Sequence, residues 1–192
     1  MVTPRDPTAA IRADHPLRRL FNRLCDQCLI GRLGFTEPEV ARYLSGLLTR
    51  FTHMDNLCQI RDSAGRPLDD VGEMLLESDP RTRASSFDRE REVRRHIGDY
   101  TLFFLGLFPE YLHAHASTRV PDLFVDWVRA GRESYHIVSA FNLGPYAEEA
   151  PLFARLSEQY ELCVVGLNLV KQELALLPDP GVRDLRAAFS ED

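Results

Sequence analysis

The chain has 192 residues, 44% hydrophobic and 27% charged, with a formal net charge of −6. Length and mix suffice for an unstapled core, so neither disorder nor a disulfide-framed miniature fold is expected. The acidic balance lacks the footprint of a nucleic-acid binder. The longest nearly apolar runs, Leu102 to Phe108 and Leu162 to Val170, fall far short of the ~20 residues a membrane span needs, so no membrane role is expected.

The first residues, Met1-Val-Thr-Pro-Arg-Asp-Pro-Thr, contain no apolar signal-peptide core, which points to a cytoplasmic protein. Of 23 basic residues only Lys171 is lysine, a bias that suggests a GC-rich bacterial genome. The cysteines Cys25, Cys28, Cys58 and Cys163 are expected to be reduced. Cys25 and Cys28 share a helix face, where packing explains them better than a zinc site that would need a second pair.

Residues 1–14, with Pro4 and Pro7, read as a disordered arm. Pro16 opens a first helix carrying Leu17, Leu20, Phe21, Leu24 and Cys28 at helical spacing, ended by Gly31 and Gly34. Thr36 and Glu39 have capping-box spacing ahead of a second helix with Val40, Leu44, Leu47, Leu48, Phe51 and Cys58 on one face. Residues 61–67 form a loop, and a short helix runs from Leu68 past Leu75 to stop before Pro80.

Ser85 or Ser86 caps the fourth helix, whose first half is a charge run, Asp88 to Arg95, read as solvated surface. Its second half, Thr101 to Phe108, is apolar on all sides and belongs in the centre of the fold. Pro121 starts a fifth helix that continues through Gly131, and Pro151 opens a sixth with Phe153, Leu156, Tyr160, Cys163, Leu167, Val170 and Leu174 in register. Gly106 and Gly166 each interrupt an apolar helix, so these two helices are expected to touch there, because a helical glycine costs about 1 kcal/mol against alanine. Val182, Leu185 and Phe189 mark residues 178–192 as an amphipathic tail. With no strand pattern, the expected fold is all-α, an up-and-down bundle of five to six helices over residues 15–177.

The pairs Glu110…His113 and Glu133…His136 have the i,i+3 spacing that metal-binding bundles use. They lie roughly 20 Å apart along an antiparallel hairpin and cannot share one site. The constellation that could is Glu92, His96 and Asp99, with Tyr100, facing Glu133 and His136, although His136 points away from the apolar stripe. Asp55 falls on the apolar side of the second helix and is expected to be buried and paired. His53 is expected to face solvent. Asn168, inside an apolar run, is expected to be a satisfied buried amide, with Tyr100 or Tyr160 as a partner. Arg81 to Ser86 reads as a capped turn rather than a phosphate site.

No Walker loop, G-x-S-x-G, H-E-x-x-H or paired C-x-x-C is present, so no enzyme class and no cofactor is named. Two functions remain. The first is a helical protein acting through a protein partner or self-association. The second is a bundle holding a metal, haem or small apolar ligand in its core, whose catalytic form is an oxidative enzyme.

Overall fold

The computed structural model describes residues 15–110 and 123–177. Among these there is no strand, and eight α-helices pack together. The proposed arm 1–14, the tail 178–192, His113 and Pro121 lie outside the described residues.

Prolines and polar caps set the helix starts. Pro16 begins α1 (Pro16–Cys25), whose cap is the His15 ring accepting from the Leu17 N–H. The helix then widens into a π-helical segment, Asp26–Arg32. Helix α2 (Pro38–Phe51) is capped at Glu37 with no side-chain bond, so the Thr36–Glu39 capping box does not form. Pro38, whose missing N–H is harmless in the first turn, starts it instead. Helix α3 (Met54–Leu57) is one turn long and separate from α2, the chain breaking at Thr52–His53. Asp70 caps α4 (Val71–Ser78) and Ser86 caps α5 (Phe87–Leu107), each side chain accepting from the backbone N–H three residues on.

Helix α6 (Leu123–Ala140) runs through Gly131 without interruption, as its stripe predicts. The expected sixth helix is two, α7 (Ala150–Glu158) and α8 (Tyr160–Leu176), which part at Gln159. That break and the one before α3 raise the helix count above the expected five to six. The stripe survives the second break: Phe153, Leu156, Tyr160, Cys163, Leu167 and Val170 are all buried. Cys25, Cys28, Cys58 and Cys163 are free thiols, and all but Cys58 are buried.

Helix α5 is the axis of the fold, packing against α4, α6 and α8. Its apolar half supplies Leu102, Phe103, Leu105 and Leu107 to the core, each stabilising by roughly 1.5–3 kcal/mol on burial. Glycines set how closely its neighbours approach. A Cβ on Gly106 would lie 2.5 Å from Leu167 Cβ, so α5 and α8 do touch there. Gly166 itself faces elsewhere, against Leu29 of the π-helical segment. A Cβ on Gly98 of α5 would stand 2.5 Å from the Tyr135 ring of α6, and one on Gly131 of α6 would strike the hydroxyls of Thr101 and Tyr160.

The charge run at the start of α5 is not wholly surface. Arg91 is buried, ion-paired with Glu149 at 2.6 Å, and its guanidinium lies 4.0 Å from the centre of the Tyr146 ring. The Tyr146 hydroxyl donates to Asp88 at 2.7 Å, so the turn before α7 is held to α5 from both sides.

Candidate functional site

Among the described residues, a polar knot inside the bundle and an apolar strip outside it depart from ordinary core and ordinary surface.

The knot centres on Asp99 of α5, which is 5% exposed. Its Oδ1 accepts from the Tyr43 hydroxyl at 2.6 Å and from the Tyr135 hydroxyl at 2.7 Å, and its Oδ2 pairs with Arg50 Nη2 at 2.9 Å. A buried carboxylate needs partners of this kind, and charge-assisted bonds are the strong ones. The partners come from α2 (Tyr43, Arg50) and α6 (Tyr135), so one side chain ties three helices. Gly98, next in sequence, gives the Tyr135 ring room to lie close to α5. Burial first, and the Asp99 charge second, hold both tyrosines well above their ordinary pKa. They therefore remain protonated donors toward Asp99.

His96, one turn earlier and 1% exposed, is equally committed. Its Nε2 stands 3.1 Å from the Leu57 carbonyl oxygen, which can only accept, so Nε2 carries the proton. Its Nδ1 then accepts from the Gln59 amide at 3.0 Å. Burial pushes its pKa down to about 4, against the partial opposition of Asp99 and the Leu57 bond. The ring is neutral and has no lone pair left for a metal.

The constellation Glu92, His96, Asp99, Glu133 and His136 does not assemble. Glu92, Glu133 and His136 are exposed, whereas His96 and Asp99 are buried and engaged as above. Among the described residues no three His, Cys, Asp or Glu side chains come together as metal ligands. Tyr100 donates to the Asp69 carbonyl at 3.0 Å.

Asp55 also corrects the expectation. The break at Thr52–His53 resets the helical phase, so Asp55 in α3 is exposed rather than buried, and His53 is exposed as expected. Asn168 is half-buried and its amide is satisfied, donating to the Val164 carbonyl at 3.0 Å and reaching the Leu105 carbonyl at 3.4 Å. Those backbone oxygens, not Tyr100 or Tyr160, are its partners; the Tyr160 hydroxyl bonds Thr101 at 2.8 Å.

The apolar strip lies on α8. The run Leu162 to Val170 is not buried all round: Leu162 is 51% exposed, Val165 46% and, further on, Leu176 77%. With half-buried Leu169 and exposed Gln172 they repeat at alternating steps of three and four residues, which is heptad spacing. Leu162, Leu169 and Leu176 stand seven apart on one face, over about 21 Å of helix. That repeat is readable in the sequence, but there it overlaps the buried stripe and is hidden by it. Arg132–Glu161 lies near its start, and Arg32–Glu173 and Lys171–Glu110 lie further along.

Against known protein families, curated proteins and solved structures, the chain finds no match.

Among the described residues no helix is long and apolar enough to cross a membrane.

Proposed function

We propose that this chain works by self-association, with the outer face of α8 docking against the same face of a second copy. The observation that supports this reading is the heptad repeat of exposed Leu162, Val165, Gln172 and Leu176 with half-buried Leu169. A strip of that spacing buries its side chains only when another helix lies along it. A second copy supplies a matching face by symmetry, which makes it the simplest occupant. Two heptads bury little area, so the dimer is weak and concentration-dependent. Gln172, at a seam position, lowers affinity while limiting the registers in which two copies can pair.

Sedimentation equilibrium over a wide concentration range tests this. The expected result is a mass rising from the 21.9 kDa monomer toward twice that value, and its abolition by Leu162→Glu together with Leu176→Glu. A protein that stays monomeric at every concentration rejects self-association. A dimer that the double variant leaves intact rejects the α8 face.

A further inference from the structure

Helix α4, the turn that follows it and the 61–67 loop line an open surface cavity of about 550 Å³. Its charged lining is three carboxylates, Asp62, Glu73 and Glu77, against two guanidinium groups, Arg66 and Arg83. One side of this balance is closed. Arg66 binds Asp62 through Nε at 3.1 Å and Glu73 through Nη2 at 3.0 Å, and Asp62 also accepts from the backbone N–H groups of Ala64 and Arg66.

Glu77 is the open side. It is 6% exposed, and its Oε2 has no hydrogen-bond donor. The nearest cation, Arg83 Nη1, stands 3.8 Å away on a half-exposed side chain, beyond hydrogen-bonding reach. A buried carboxylate oxygen without a donor is costly. The position adds to the cost, because Glu77 sits in the last turn of α4, where the helix dipole disfavours negative charge and favours a cation. Leu76, half exposed, lines the same cavity and presents apolar surface beside the carboxylate.

We propose that this cavity binds an aliphatic ammonium ion, with Glu77 as its counter-charge and Leu76 as the surface on which its methylene chain lies. The cavity carries one negative charge in excess, and an ammonium group brings the hydrogen-bond donors that Glu77 lacks. A bare divalent ion fits less well. It would need several unengaged oxygens, and Asp62 and Glu73 are held by Arg66. A small anion would meet Glu77 directly.

The test is titration of the full chain with 1,4-diaminobutane, followed by amide NMR shifts and by melting temperature, in wild type and E77Q. Saturable shifts confined to α4, the 61–67 loop and the turn carrying Thr82 and Arg83 are expected, with affinity weakened about tenfold or more in E77Q. E77Q without ligand should melt close to wild type, since the amide keeps the shape and gives up only the 3.8 Å approach of half-exposed Arg83. The proposal is overturned if the diamine gives no saturable shifts, or if its shifts scatter over the acidic surface and persist in E77Q. It is also overturned if inorganic phosphate saturates the same amides and the diamine does not, because Arg66 and Arg83 would then form an anion site. A large drop in the unliganded melting temperature of E77Q, with no diamine binding, would make Glu77 a structural partner of Arg83.

Discussion

Where α5 meets α2 and α6, polar side chains turn inward and are held by one another. Along the outer face of α8, apolar side chains turn outward and stay half exposed. The first arrangement is closed: Asp99 has three partners, His96 has both ring nitrogens engaged, and the tyrosine hydroxyls point at the carboxylate. The second is open: Leu162, Val165 and Leu176 keep much of their apolar surface in water. Buried charge of this sort marks a place where stability is concentrated, and an exposed heptad marks a place where stability is not at issue. Substitutions on the two sides should therefore separate folding from association.

The largest effect is expected at the knot. Asp99→Ala strands the buried Tyr135 hydroxyl and the part-buried Tyr43 hydroxyl and removes the partner of Arg50. Because Arg50 is half exposed and regains water, most of the loss falls on the tyrosines, about 4 kcal/mol in all by urea denaturation. A loss below about 1 kcal/mol would show that the knot is replaceable by solvent.

Next comes His96. Its pKa is about 4 in the folded chain and 6.5 as a free side chain. Below pH 6.5 the unfolded chain takes up a proton that the folded chain refuses, so stability is full above that pH and falls as pH drops toward 4. The total is about 3 kcal/mol, from 1.36 kcal/mol per pH unit of displacement. Urea midpoints measured at pH 7 and pH 4.5 should differ more in wild type than in His96→Gln. Parallel pH profiles for the two proteins would deny the buried neutral ring.

Gly98→Ala probes the same region through packing alone. Its Cβ would meet the Tyr135 ring at 2.5 Å, so the ring moves and its hydroxyl leaves Asp99. A loss of about 2 kcal/mol is expected, opposite in sign to the gain that helix propensity alone predicts for this change. A more stable variant would mean that α6 yields easily.

The smallest effect on folding is expected on α8. Leu162→Glu and Leu176→Glu should each alter stability by no more than about 0.5 kcal/mol while removing association. A large loss of stability there would move α8's outer face into the same class as the knot and erase the contrast.

Much of this was legible in the residues. The all-α class, the central burial of Thr101 to Phe108, the unbroken passage of α6 through Gly131 and the α5–α8 contact at Gly106 all follow from spacing and composition. The breaks at Thr52–His53 and Gln159 were not legible, because no proline or glycine marks them and the apolar stripe runs across both. The first break misplaced Asp55. The spacing places Asp99 among candidate metal ligands, whereas its partners in the structure are two tyrosines and an arginine. Tyr43 and Arg50 lie far away in sequence and beside, rather than on, the stripe of α2. Only the helix packing brings them to Asp99. The local clue was Gly98, a helical glycine directly before a buried acid.

The glycines of α5 and α6 also decide how this bundle can move. Tyr135 of α6 sits against Gly98 of α5, while Thr101 of α5 and Tyr160 of α8 sit against Gly131 of α6. Each helix is thus pegged into its neighbour, and sliding either one along its axis drives a ring or hydroxyl into backbone. Shear between the two is blocked. Tyr160 is also the first residue of α8, directly after the break at Gln159. Further along, Leu167 lies on Gly106 of α5 and Gly166 lies under Leu29, so α8 is held at its start and again at mid-length, and a force applied near Leu176 meets a helix seated in the core rather than a free arm.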